Sequence, residues 1–246
     1  MNDSYFILFL LIPIVAFLYA SVGHGGASGY LALMSILGFT QEVMKPTALL
    51  LNLFVAGIAF YHFWRAGYFR QNLFLAFSIS SIPFSFLGGR LTIEPHLYKL
   101  ILGICLLIAT LKIFGIFNRD KEEVQIKKFN LKFALLLGAG IGFLSGLIGI
   151  GGGIILSPLI LLLNWGTVKE AAAVSALFIW VNSASGLFGQ FSMGLTVESE
   201  SWLMIALAVV GGYLGAYIGS NKLNNYAIRQ LLATVLLFAS IKLIIF

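Results

Sequence analysis

Long apolar runs, interrupted by short polar or charged stretches, recur along the whole chain. They fall at 5–37, 46–64, 72–91, 97–117, 131–164, 171–190, 202–219 and 226–246. A helix needs about 20 apolar residues to cross the ~30 Å hydrocarbon layer of a bilayer. Backbone polar groups find no water there, so the runs predict α-helices, which satisfy their own N–H and C=O groups. The pattern predicts an all-α integral membrane protein with one transmembrane domain over 1–246. The stretch 118–130, with Arg119, Asp120, Lys121, Glu122, Glu123, Lys127 and Lys128, reads as a solvated linker.

Two runs have an awkward length. As unbroken helices, 5–37 and 131–164 would each measure about 50 Å at ~1.5 Å per residue. That is too long for one comfortable crossing and short of the ~40 residues that two crossings need. Each carries a glycine cluster just past its middle, Gly23-His24-Gly25-Gly26 in the first and Gly149-Ile150-Gly151-Gly152-Gly153 in the second. Glycine tolerates the dihedrals of a break. Each opening run is therefore expected to be a helix, a break, and a shorter helix of about a dozen residues that need not fully cross.

The two clusters mark an internal duplication. Ala109-Thr110-Leu111-Lys112 near the end of the first half also echoes Ala239-Ser240-Ile241-Lys242 near the end of the second. Repeat 1 is 5–117, the linker 118–130 and repeat 2 131–246. Duplications of this kind build secondary transporters. If each opening run doubles back, Arg65, Arg70, Lys112, Arg119, Lys121, Lys127, Lys128, Lys132, Lys169, Lys222 and Arg229 share one membrane side. Only Lys45, Arg90, Lys99 and Lys242 then fall on the other. A single crossing per run divides the charges more evenly, so the positive-inside rule favours the hairpin. The expected architecture is two inverted repeats, each a glycine-broken hairpin followed by three transmembrane helices. The linker is then cytoplasmic and both termini lie outside.

Composition agrees with this picture. Apolar residues make up 60% of the chain and charged residues 10%, against about 25% charged in soluble domains. The net charge of +6 reads as basic loops facing the cytoplasm rather than as a nucleic-acid surface. The first run carries Asp3 in place of a basic n-region and leads into glycines, so it is expected to stay as a membrane segment. The lone Cys105 has no partner for an internal disulfide and is expected to pack as a small hydrophobe.

The candidate chemistry lies in the breaks. Broken backbone at membrane depth is costly unless it lines a cavity or is buried in protein. A helix that starts after glycines offers free N–H groups and a partial positive charge. Gly23, Gly25, Gly26, Gly149, Gly151, Gly152 and Gly153 are therefore candidate anion-binding positions, working without any charged side chain. His24 lies inside the first cluster and could donate a hydrogen bond or carry a proton. Asn52, Asn182 and its neighbour Ser183 stand in comparable helices of the two halves and could donate to an oxyanion or bond a neighbouring helix. Ser28, Ser157 and Gln190 read mainly as packing or capping residues. Gly138, Gly142 and Gly146, and likewise Gly211, Gly215 and Gly219, read as smooth faces for helix packing. No enzyme is indicated: His24, His62 and His96 are too widely spaced for a helical metal pair, and no acidic pair lies inside an apolar run. No cofactor or metal is implied.

The run Gly149 to Leu159, with glycines at Gly149, Gly151, Gly152 and Gly153 followed by Pro158 and Leu159, resembles the signature of the TauE/SafE sulfite exporter family (DUF81) of anion permeases. The weaker copy at Gly23 to Gly26 and the mixed-charge linker resemble that family too, and the resemblance covers essentially the whole chain. It implies a multi-pass protein of the bacterial inner membrane that moves sulfite, a related sulfur oxyanion or an organosulfonate. The first copy departs from the pattern: His24 occupies a glycine position, and Ala27-Ser28-Gly29 follow without a proline. The partners expected are a small anion and the bilayer, with a homo-oligomer left open. The rival expectation is a membrane assembly or sensor subunit that transports nothing.

Overall fold

The computed structural model describes residues 3–94, 126–197 and 199–224, with separate positions within 96–107 and 226–244. Most of the runs 97–117 and 226–246 lies outside the described residues. So do most of the linker, Lys99, Cys105, Lys112, Lys121, Arg229 and Lys242. Among the described residues the chain is helical with no strand. The helices are α1 (Asp3–Ala20), α2 (Ala27–Ile36), α3 (Gln41–Arg65), α4 (Gln71–Gly89), α5 (Leu131–Ile148), α6 (Gly153–Leu162), α7 (Val168–Phe191) and α8 (Ser201–Asn221). Both halves thus run through the same order of long, short, long and long helices.

Lengths follow from the sequence. α3, α4, α5, α7 and α8 are long and apolar enough to cross a membrane. α2 and α6 have 10 residues each. At ~1.5 Å per residue they reach about 15 Å, half of the hydrocarbon layer. The helices that follow start earlier than their apolar runs, at Gln41 and Val168, because polar first turns are tolerated where N–H groups need water or caps. Thr167 and Glu170 form a reciprocal capping box at the start of α7, while Thr40 supplies no side-chain cap to α3.

Two glycine ladders hold the halves together. On α5, a Cβ at Gly138, Gly142 or Gly146 would collide with the backbone carbonyls of Phe77, Ser81 or Ser85 on α4. On α8, a Cβ at Gly211, Gly215 or Gly219 would collide with the carbonyls of Pro13, Phe17 or Ser21 in and just after α1. Apolar burial gives no net drive between helices in lipid, so close backbone approach and dispersion supply the packing. Each ladder joins the opening helix of one half to a long helix of the other.

Both opening runs double back. The Lys127 N–H donates to the Asn164 carbonyl at 2.8 Å, so the approach to α5 meets the end of α6. The Tyr5 ring stands edge-on to Phe39 at 5.1 Å, so the start of α1 meets the end of α2. The end of α6 also meets the starts of α4 and α7, where Arg70 Nη1 donates to the Trp165 carbonyl at 2.7 Å. The end of α2 meets the segments that follow α4 and α7, where Thr92, Ile93 and Leu195 share a cavity with Ser35 and Phe39.

Candidate functional site

The breaks are made by backbone conformations that only glycine adopts cheaply. Gly26 and Gly152, the N-caps of α2 and α6, sit at φ 94° and 77°, in the left-handed region that costs an L side chain ~1–2 kcal/mol. Neither cap has a side chain to offer the first turn. Both short helices therefore start buried, with no cap from their own N-cap residues. Ala27 N–H donates to Asn52 Oδ1 at 3.1 Å. The N–H groups of Ser28, Gly29, Gly153 and Ile154 find no acceptor among the described residues.

Asn52 joins the two breaks. Its Oδ1 accepts from Ala27 after the first break, while its Nδ2 donates to the Ile150 carbonyl in the second at 3.2 Å and to Ser183 Oγ on α7 at 3.3 Å. His24 makes a second bridge. Its Nδ1 lies 3.1 Å from the Val22 carbonyl and its Nε2 lies 3.1 Å from the Gly153 carbonyl, one in each half. The imidazole thus faces two acceptors, and a neutral ring, with one N–H, donates to either one of them but not to both at once. The structure therefore brings Gly25, Gly26, Gly151, Gly152, Gly153, His24, Asn52 and Ser183 to one crossing point. Gly23 and Gly149 lie at its edge, against Ala172 and Lys45.

Two hydroxyls at this crossing have no partner among the described residues, Tyr30 Oη and Ser145 Oγ. Both residues are fully buried, at 0% exposure. A Cβ on Gly26 would lie 2.7 Å from Tyr30 Oη, and one on Gly152 would lie 3.3 Å from Ser145 Cβ. Each short helix thus starts beside an unsatisfied hydroxyl. Such a group costs ~1–3 kcal/mol when buried without a partner. The sequence reading passed over both, although Tyr30 is one turn into α2 and helical side chains lean towards the N-terminus.

Asn182 makes no hydrogen bond to either break. Its Nδ2 donates to Ser81 Oγ on α4 at 3.0 Å and to the Phe178 carbonyl at 2.8 Å, and its Oδ1 has no partner among the described residues. Counted from the N-caps Thr40 and Thr167, Asn182 lies about one turn deeper than Asn52. Ile179 stands in the position equivalent to Asn52 and packs on Gly151 and Gly153. Among the lesser candidates, Ser28 bonds Tyr19 at 2.8 Å and Ser157 donates to Ser175 at 2.7 Å. Both amide atoms of Gln190 are buried without a partner among the described residues. Ser81 and Ser85 were also missed, though Ser78, Ser81 and Ser85 repeat at helical spacing on α4.

The crossing is tight. A Cβ at Gly151 would meet Asn52 Nδ2 at 2.7 Å and Ser183 Oγ at 2.8 Å, and one at Gly152 would meet Phe178 at 2.9 Å and Ile141 at 3.0 Å. Glycine there serves the protein's own packing as well as any ligand. Chemically the site is rich in donors, buried, and neutral apart from the helix dipoles.

A probable membrane transporter protein of Sinorhizobium fredii is 37% identical over 234 residues, which is 94% of each chain. One from Methanocaldococcus jannaschii is 31% identical over 132 residues, 52% of this chain and 47% of that protein. One from Bacillus subtilis is 28% identical over 131 residues, 52% of this chain and 46% of that protein. Each is named a transporter and none an enzyme. No solved structure matches the chain. The sequence profile "Sulfite exporter TauE/SafE" matches residues 8–243, nearly the whole chain, and this protein therefore belongs to that family as a multi-pass membrane transporter.

Proposed function

We propose that this transporter carries a small sulfur oxyanion or organosulfonate, with sulfite as the reference substrate, bound between the N-termini of α2 and α6. The observation that carries this reading is the pairing of two buried helix N-termini that keep free N–H groups, each beside a buried hydroxyl without a partner among the described residues. Each helix start carries a partial positive charge of roughly half a unit. Backbone N–H groups and hydroxyls suit an oxyanion, and the lack of a fixed cation at the crossing keeps binding weak enough for release. Asn52 and His24 complete the donor set once the breaks part. Rocking of one element against the other, with those two bridges remade, exposes the site alternately. The end contacts of the two hairpins support inverted repeats, and the charge bias of the loops supports a cytoplasmic linker with both termini outside a bacterial inner membrane. An exported anion gains ~2.3 kcal/mol per charge per 100 mV of membrane potential.

The test uses the unpartnered hydroxyls. Tyr30→Phe and Ser145→Ala remove no hydrogen bond seen within the fold, so the melting temperature in detergent should hold. A hydrogen bond to a charged group contributes ~1.5–3 kcal/mol. Each variant should therefore raise the KM for sulfite uptake into proteoliposomes on the order of tenfold. If both transport sulfite with the wild-type KM, the break site is wrong.

A further inference from the structure

The end of the bundle at the start of α3 holds a cavity of about 440 Å³, lined by Ser35, Thr40, Glu42, Lys45, Thr92 and Leu195 among others. Lys45 is only 5% exposed, a burial that Lys rarely reaches unless its ammonium is partnered. Its Cα, Cβ and Cγ each lie 3.5 Å from where a Cβ on Gly149 would be. The lysine stem therefore lies along the second break while the residue lines the cavity. The duplication sharpens the point. The counterpart contact sets Gly23 against Ala172, at the same place near the start of α7. There Ala172 stands in the place of Lys45, and the lysine of that helix start, Lys169, instead donates to Tyr68 Oη and the Ser220 carbonyl. The helix start is closed by the Thr167–Glu170 capping box and by Arg70 bonded to the Trp165 carbonyl.

We propose that this cavity is the vestibule through which anions reach the breaks, and that Lys45 is its fixed cation, selecting anions over zwitterions and cations. The inference rests on the anion reading above and assigns its selectivity to a residue outside the helix N-termini. An ammonium beside a partly dehydrated cavity attracts an anion far more strongly than one in bulk water. Glu42 opposes it, but Glu42 is exposed and better screened. A sulfur oxyanion gains from Lys45 without penalty, whereas a zwitterion such as taurine brings its own ammonium against it.

The experiment compares full-length wild type with Lys45→Gln, Lys45→Arg and Glu42→Gln in proteoliposomes, with sulfite and taurine as probes. Because Lys45 acts on binding and not on the conformational step, its loss should move KM and leave the maximal rate. Lys45→Gln should raise the sulfite KM on the order of tenfold, and Lys45→Arg should stay near wild type. Glu42→Gln should lower the KM by a few-fold. Wild type should prefer sulfite to taurine, and Lys45→Gln should narrow that preference. The opposite signs separate a charge effect from general damage. An unchanged KM in Lys45→Gln, or a shift of the same sign in Glu42→Gln, overturns the vestibule while wild-type flux stands. Should Lys45→Gln fail to fold, an unmoved Glu42→Gln overturns it alone. A wild type that moves no anion refutes the transport reading itself, and the vestibule with it.

Discussion

Asn52 and Asn182 look alike as residues: each is an amide inside an apolar run, each in the helix after its half's hairpin. Their hydrogen bonds separate them. Asn52 spends its amide on three groups from three segments, whereas Asn182 uses only its Nδ2, partly on its own helix. Replacing Asn52 by Ala strands the Ala27 N–H and the Ile150 carbonyl in a dry interior, at ~1–3 kcal/mol each. Asn52→Ala should therefore lose about 3 kcal/mol of stability and all measurable flux. Asn182→Ala should lose ~1 kcal/mol and keep its sulfite KM. Denaturant unfolding in detergent, paired with uptake, checks both; an Asn182→Ala protein with a raised KM would return that residue to the site. The sequence could mark both amides as worth testing but could not rank them. Their difference is about one helical turn of register measured from caps that only the folded helices define.

The elements were more legible than their partners. Each opening run is too long for one crossing and carries its glycines past the middle, so a break and a short helix follow from length alone. Which glycines touch backbone is a tertiary matter, and α5 shows it well. Gly138, Gly142 and Gly146 press on α4 carbonyls, while nothing lies within 4 Å of a Cβ placed on Gly140 of the same helix. Gly142→Ala should force α5 and α4 apart and lower stability by ~1–3 kcal/mol. Gly140→Ala should be neutral or gain up to ~1 kcal/mol from helix propensity. Thermal unfolding of the two variants side by side checks the contrast, and equal losses would mean that the α4–α5 ladder is not what holds the halves together. Gly152 belongs to both worlds. Its positive φ and its closeness to Phe178 and Ile141 mean that Gly152→Val damages the fold, so lost transport in that variant says little about substrate space. In the sequence Gly152 reads only as a candidate anion-binding position; in the fold a side chain there meets the protein first.

At the scale of the whole molecule the duplication is imperfect, and the imperfection has a direction. At one end Trp165 is buried under Phe77, Phe129 and Phe133, and Arg70 ties it down through its carbonyl while lying 3.8 Å from Glu170. At the other end Phe39, the counterpart of Trp165, borders the open cavity with Lys45. Alternating access needs unequal ends of this kind, one admitting substrate while the other is sealed. In the proposed topology, which rests on the charge pattern of the sequence, the Arg70 end faces the cytoplasm. Single cysteines in a Cys105→Ser background test both ideas together. A cysteine at Thr92, in the cavity, should react with a membrane-impermeant maleimide added to intact cells. One at Gly166, in the turn that Arg70 holds, should react only in inverted vesicles. The salt bridge contributes little at this exposure, so most of the seal lies in the Arg70–Trp165 hydrogen bond. Adding Arg70→Gln should therefore speed labelling at Gly166 by several-fold and leave Thr92 slower, because opening one end closes the other. Labelling of Gly166 from outside intact cells would reverse the topology. Faster labelling at both positions would mean a loosened bundle instead of a gate, and would remove Arg70 from the transport cycle.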